Sequence, residues 1–263
     1  MTTSNRSTEW KKVRIGGVPI DCMSVPSLMR RLDEMVSNGD SHYVCFCDLK
    51  LWSSAMTDED TRRVLDEASM VLPDGVFVTA GAKLKGAKRC RRLSGPLIML
   101  EYCRHGAAEG RKHFLYGGAQ GVVELLAEEL KQRFPGIRIA GYYSPPFRPL
   151  TPEEERDIKS RIEASRADVL WVGLGAPKQE SWMAAHLGRI NVPVMLGVGA
   201  AFDFHSGRRR RAPEFVQKVG LEWAFCTVTA GRKVFLRNVK YIFLVVYILI
   251  RQMTLRKRIS QTD

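Results

Sequence analysis

The stretch His113-Phe-Leu-Tyr-Gly-Gly-Ala-Gln-Gly121 runs from a short β-prone segment into a glycine-rich turn. A helical pattern follows to Phe134, and then a second strand-like run, Ile137 to Tyr143. Strand, turn, helix and strand in that order make one βαβ unit. Downstream the rhythm repeats. Pro145, Pro146 and Pro149 mark a loop, and Thr151-Pro-Glu-Glu154 starts a helix in which Thr151 caps and Glu154 closes a capping box. Asp168-Val-Leu-Trp-Val172 reads as a buried strand opening onto Gly173-Leu-Gly175. Lys178 to Leu187 is helical, and Val192 to Val198 is a further strand ending at Gly199.

Upstream, Val13 to Ile20 reads as two short strands around Gly16-Gly17. Ser24 caps a helix with Pro26 in its first turn and Val25, Leu28, Leu32 and Val36 along one face. His42 to Cys47 is a strand, Thr57 to Ala68 a helix, and Met70-Val-Leu72 a short strand stopping at Pro73-Asp74-Gly75. Alternation of this kind predicts an α/β, Rossmann-like fold: a mostly parallel sheet with helices on both faces and ligands at the carboxyl ends of its strands.

The 263 residues carry 41 Lys+Arg against 28 Asp+Glu, a net charge of +13. The excess is local: from Arg208 onward there are 13 basic residues against 3 acidic ones, leaving only +3 for the preceding 207 residues. A near-neutral body with a basic tail divides the chain into a core, 12–207, and a basic helical C-terminal appendage, 208–263. It also argues against a nucleic-acid-coating protein. Within the appendage, Tyr241 to Ile250 is an uninterrupted apolar run of ten residues with Lys240 before it and Arg251 after. A membrane span needs about 20 apolar residues, so the run predicts a segment lying along an anionic membrane surface, flanked by Arg232, Lys233, Arg237, Arg256, Lys257 and Arg258. A buried helix of the core or of a homo-oligomer is the alternative. The six cysteines form no C-x-x-C pair or zinc-spaced set, and Met1 to Lys12 has no apolar core like a signal peptide's. Both features predict a cytoplasmic protein with reduced thiols, which together with the apolar run makes the expected location peripheral, on the inner face of the cell membrane.

Gly117-Gly118-x-x-Gly121 and Gly173-x-Gly175 each sit at a strand-to-helix turn, where a glycine backbone can approach a phosphate; tight turns without a ligand are the alternative. Neither completes G-x-G-x-x-G, and no G-x-x-x-x-G-K-[ST] occurs, which weighs against dinucleotide oxidoreductases and P-loop enzymes. Asp74, at a strand's carboxyl end, suits a general base or a turn aspartate capping the next helix. Lys178, Gln179 and Glu180 open a helix where they could hold a sugar or phosphate. Asp203 lies among aromatics in Phe202-Asp-Phe-His205, and Arg208 to Arg211 just beyond could neutralise a diphosphate.

Taken together, Leu72-Pro-Asp-Gly75, Arg92-x-x-Gly95, Leu115-Tyr-Gly-Gly118, Gly173-Leu-Gly-Ala-Pro-Lys-Gln-Glu180, Gly197-Val-Gly-Ala-Ala-Phe-Asp-Phe204, Gly207, Arg211-Ala-Pro213 and Glu222-Trp223 resemble the WecG/TagA/CpsF family of bacterial glycosyltransferases over about residues 12 to 240. The resemblance implies a metal-independent, inverting transfer of a sugar, with no cofactor. The donor is a nucleoside diphosphate, expected to be uridine diphosphate, and the acceptor a polyprenyl-diphosphate-linked sugar, in surface polysaccharide biosynthesis. It implies Asp74 as the base, Arg92, Gln179 and Asp203 in the sugar-nucleotide pocket, and an appendage that closes the site against the membrane. Arg211, Lys233 and Arg237 are the candidates for the departing diphosphate.

The chain departs from the family pattern at several positions. Asp48 and Phe46 stand where the family usually has the Asn and Thr of a Thr-x-Asn, Leu97 where an Asp is common, Cys226 where an Arg is, and Ala230-Gly231 replace a Glu-Pro. A carboxylate that only accepts thus replaces an amide that also donates. Either the acceptor or sugar differs, or the chain is a degenerate relative that binds a nucleotide sugar or a partner enzyme without catalysis.

Overall fold

The computed structural model describes residues 10–209 and, beyond them, Phe243 alone. The appendage is therefore described only at Arg208, Arg209 and Phe243, and Cys226 and the rest of the apolar run at 241–250 lie outside the described residues. No helix among the described residues is long and apolar enough to cross a membrane.

Chain order begins with an antiparallel hairpin, β1 (Trp10–Ile15) and β2 (Val18–Met23), turning at Gly16-Gly17. Helix α1 (Val25–Ser37) follows, with the Ser24 hydroxyl accepting from the Ser27 amide at 3.2 Å. Next come β3 (His42–Cys47), α2 (Leu49–Thr57), α3 (Glu59–Glu67), β4 (Met70–Pro73), α4 (Val76–Leu84) and α5 (Gly95–Glu109). The second half alternates strictly: β5 (Lys112–Gly117), α6 (Val122–Arg133), β6 (Arg138–Tyr143), α7 (Pro152–Ser165), β7 (Val169–Gly173), α8 (Lys178–His186), β8 (Val194–Gly197) and the short α9 (Ala201–His205). The expected capping box of α7 is present in both directions, Glu154 N–H to the Thr151 hydroxyl and Thr151 N–H to the Glu154 carboxylate. The helix read from Thr57 to Ala68 is present as α3, which starts two residues later: Thr57 is the last residue of α2, and Asp58 caps α3 by accepting from the Thr61 amide.

Six strands form one sheet in the order β4-β3-β8-β7-β5-β6, every pair parallel. Side chains alternate across it. Tyr43, Cys45, Leu170 and Val172 point to a layer containing α2, α3, α7 and α8, and Val44, Phe46, Val169 and Trp171 to one containing α1, α5 and α6. The β1–β2 hairpin stands beside the β4 edge and is fastened there by buried Asp21, which accepts from the Val71 amide at 2.8 Å and from the Trp10 indole at 2.9 Å. A side chain thus satisfies an edge amide that would otherwise need a strand. Cys22, Cys45, Cys47, Cys90 and Cys103 are buried free thiols.

Candidate active site

The sheet order brings the carboxyl ends of β3, β4, β7 and β8 side by side. The Asp74 amide donates to the Cys47 carbonyl at 3.0 Å, pinning the ends of β4 and β3 together. Helix α4 starts on Gly75 with no side-chain cap, so Asp74 is not spent on capping it. Leu93 N–H bonds the Pro73 carbonyl at 2.8 Å and carries Arg92 back over the strand end. There the Arg92 Nε donates to the Asp74 main-chain oxygen at 2.5 Å, and its guanidinium lies 3.7 Å from Asp74 Oδ1.

On the neighbouring strand end, Asp48 is the N-cap of α2, and its Oδ1 accepts from the Leu51 amide at 2.8 Å. Burial pushes its carboxyl pKa up, opposed by that amide and by Lys50. The carboxylate that replaces the family's usual amide therefore has a structural task, one that an Asn would also perform. Lys50, the second residue of α2, is not among the candidates that the sequence suggests. Its ammonium donates to the Ala176 carbonyl and ties α2 to the turn before α8.

The opening of α8 is occupied internally. Gln179 Oε1 accepts from the Gly175 amide at 3.1 Å, and its Nε2 donates to the Gly197 carbonyl at 2.7 Å and to Glu180 Oε1 at 2.8 Å. One amide side chain thereby joins the ends of β7 and β8. Glu180 is fully buried behind it, with Oε2 lacking a hydrogen-bond partner among the described residues, and burial raises its pKa to about 7. The structure thus separates the three residues read together from the sequence: Lys178 reaches a cavity wall, Gln179 shares a wall while bracing the turns, and Glu180 lies behind it.

Two cavities result. One, of about 360 Å³, has Phe46, Asp48, Lys50, Asp74, Arg92 and Gln179 in its wall. The other, of about 590 Å³, is lined by Gly118, Gly173, Lys178, Asp203, Arg208 and Arg209. They share Gly175, Gly199 and Ala200, so they adjoin along the end of β8. Arg209 also packs over the Phe204 ring, 5.5 Å from its centroid.

The glycines divide by role. Gly117 and Gly173 are register partners on β5 and β7. A Cβ on Gly117 would lie 2.5 Å from the Gly173 carbonyl carbon, and one on Gly173 would lie 2.8 Å from the Phe202 ring. Close packing therefore accounts for both. Gly175, with φ of +79° and open space where a Cβ would stand, is required only by its backbone conformation. Of the departures from the family pattern, Phe46 is buried on a cavity wall and Leu97 is exposed in the first turn of α5. Arg211, Lys233, Arg237, Cys226 and Ala230-Gly231 lie outside the described residues.

Residues 13–259 match the model of the glycosyl transferase WecG/TagA/CpsF family. The N-acetylglucosaminyldiphosphoundecaprenol N-acetyl-beta-D-mannosaminyltransferases of Staphylococcus aureus strains NCTC 8325 and COL are each 26% identical to this chain over 227 residues, which is 86% of it and 87% of each of them. The protein of the same name from strain MRSA252 shares the same identity and coverage. With a family match that spans residues 13–259, the chain belongs to the WecG/TagA/CpsF family of glycosyl transferases and is a transferase.

Proposed function

We propose that this transferase moves a sugar, with inversion, from a nucleoside-diphosphate donor, uridine diphosphate being the expected nucleotide, to a sugar carried on a polyprenyl diphosphate. The observation that carries the reading is the placement of Asp74, backed by Arg92, in a cavity that adjoins a second, basic one along Gly175 and Gly199. The acceptor hydroxyl enters the Asp74 side. As its oxygen bonds the anomeric carbon, its proton passes to the Asp74 carboxylate and the bond to the donor diphosphate breaks. The charge left on the diphosphate falls to Lys178, Arg208 and Arg209 in the second cavity, with Arg211, Lys233 and Arg237 the further candidates from the appendage. The names of the Staphylococcus aureus relatives support this acceptor class and make an N-acetylhexosamine a reasonable first donor sugar.

The decisive experiment is a donor-by-acceptor screen with purified full-length protein, with the anomeric configuration of any product read by NMR. Product of inverted configuration from a polyprenyl-diphosphate sugar, lost in Asp74→Asn, is the expected result. Nucleotide-sugar binding with no product from any acceptor would overturn it and leave a binding protein at the membrane.

A further inference from the structure

Between Asp74 and Glu101 the chain carries six Lys/Arg and no acidic residue. Five of these (Lys83, Lys85, Lys88, Arg89 and Arg91) are exposed, and among the described residues no carboxylate pairs with them. In their midst Leu84, the last residue of α4, is 86% exposed. Lysines at a helix C-terminus are favoured by its dipole, which accounts for Lys83 and Lys85. It does not account for a leucine set in water between them, or for the three cations that follow.

The loop behind α4 is held in shape. The Lys11 ammonium bonds the Gly86 carbonyl at 2.8 Å, Cys90 N–H bonds the Ala87 carbonyl at 2.8 Å, and the Ala87 and Cys90 side chains are buried. With those two turned inward, Lys88, Arg89 and Arg91 are driven outward. Across a depression of about 1040 Å³ stands Trp10, itself 45% exposed. Arg92, next along the chain, turns the other way onto Asp74.

We propose that the end of α4 and the loop to Arg91 form a docking surface for a bilayer rich in anionic phospholipid, with Leu84 entering the acyl boundary and Trp10 at headgroup level. Charge complementarity selects this occupant. A leucine ringed by cations is the pattern of interfacial binding, in which apolar burial and attraction of each cation to anionic headgroups add. Amphipathic aromatics such as tryptophan favour the headgroup layer. Because Arg91 and Arg92 are adjacent, the surface borders the cavity that holds Asp74, so a lipid-borne acceptor would meet that cavity at the membrane plane. The inference rests on the proposed lipid-linked acceptor only for the presence of a membrane, so its test reads binding and not transfer.

The test uses the full chain and vesicles of phosphatidylcholine alone or mixed 3:1 with phosphatidylglycerol. For Lys83→Ala/Lys88→Ala/Arg89→Ala the partition coefficient onto the anionic vesicles is expected to fall about tenfold or more, with the thermal melt unchanged and binding to pure phosphatidylcholine weak for both proteins. The appendage, intact in both, contributes equally and drops out of the ratio. Leu84→Trp reads the site directly: brominated acyl chains should quench its emission beyond the wild-type level. A partition coefficient within about twofold of wild type, or no added quenching at position 84, overturns the proposal. So does a raised KM of the triple variant for a short-chain soluble diphosphate acceptor without vesicles, which would assign the cations to the acceptor itself. Absence of transfer to any polyprenyl-diphosphate acceptor would sink the proposed acceptor while leaving the vesicle result standing.

Discussion

Arg92 holds Asp74 at two points, bonding its main-chain oxygen at 2.5 Å and placing a cation 3.7 Å from its carboxylate. The same side chain therefore fixes the height of the strand end and the charge environment of the proposed base. Asp74→Asn should lower kcat by about 10²–10⁴ while leaving donor affinity little changed, measured by steady-state transfer alongside calorimetric donor titration. A variant of undiminished kcat removes Asp74 from the chemistry.

Arg92→Lys keeps the charge but not the fork, since one ammonium cannot serve both atoms with the guanidinium's fixed geometry. The expected loss in kcat is about tenfold, corresponding to roughly 1.4 kcal/mol for a hydrogen bond to a charged group. Equal rates for the Lys and Arg proteins would show that only net charge matters there.

Asp48 offers a separation of roles. Asn caps a helix about as well as Asp, so Asp48→Asn should leave stability within about 0.5 kcal/mol, whereas Asp48→Ala should cost about 1 kcal/mol by urea melts. A change in acceptor preference in the Asn variant at unchanged stability would place this side chain against substrate. Identical kinetics would confine it to the cap.

Burial raises the Glu180 pKa from 4.5 to about 7. Below about pH 4.5 folded and unfolded chains both hold the proton. Between about 4.5 and 7 the unfolded chain releases a proton that the folded one keeps, so stability falls as pH rises and levels off above about 7. Glu180→Gln has no such proton. The stability of wild type relative to Glu180→Gln should therefore decline by on the order of 3 kcal/mol between about pH 4 and 8 in urea melts. A gap independent of pH would mean that the carboxyl titrates alike in the folded and unfolded chains, so that burial does not raise it.

The two kinds of glycine predict different penalties. Gly117→Ala combines a φ of +129° with a Cβ 2.5 Å from the Gly173 backbone, and should cost more than about 3 kcal/mol or abolish soluble expression. Gly175→Ala meets open space and should cost only about 1 kcal/mol. Similar melting temperatures for the two variants would refute the packing argument at Gly117.

What could be read from the chain was what local periodicity and punctuation encode. The hairpin at Gly16-Gly17, the Ser24 cap, the Thr151–Glu154 box and the strands from Lys112 onward all appear where they were expected. Helix α2 is signalled only by Asp48 before Leu-Lys-Leu, an N-cap pattern, because its buried run Leu51-Trp-Ser53 does not space out as a helical stripe. Helices α4 and α5 carry no clear signal either: α4 mixes small and apolar residues, of which Val78, Thr79, Gly81 and Ala82 are buried, and α5 has no strong amphipathic stripe. The bracing of two turns by Gln179 and the reach of Lys50 to Ala176 depend on which strands lie side by side, and no local pattern states that.

Among the described residues strand β8 is the last in chain order, yet it sits between β3 and β7 in the sheet. Until it inserts, the residues that end at Asp74 and those that begin at Lys112 can form only two half-sheets, each with an open, hydrogen-bond-hungry edge. Synthesis on the ribosome must therefore run past Gly197 before the two cavities can face each other, and closing such distant pairings is slow. A chain interrupted before Val194 keeps both edges open and is expected to aggregate, because the strand that joins the half-sheets is made after both of them.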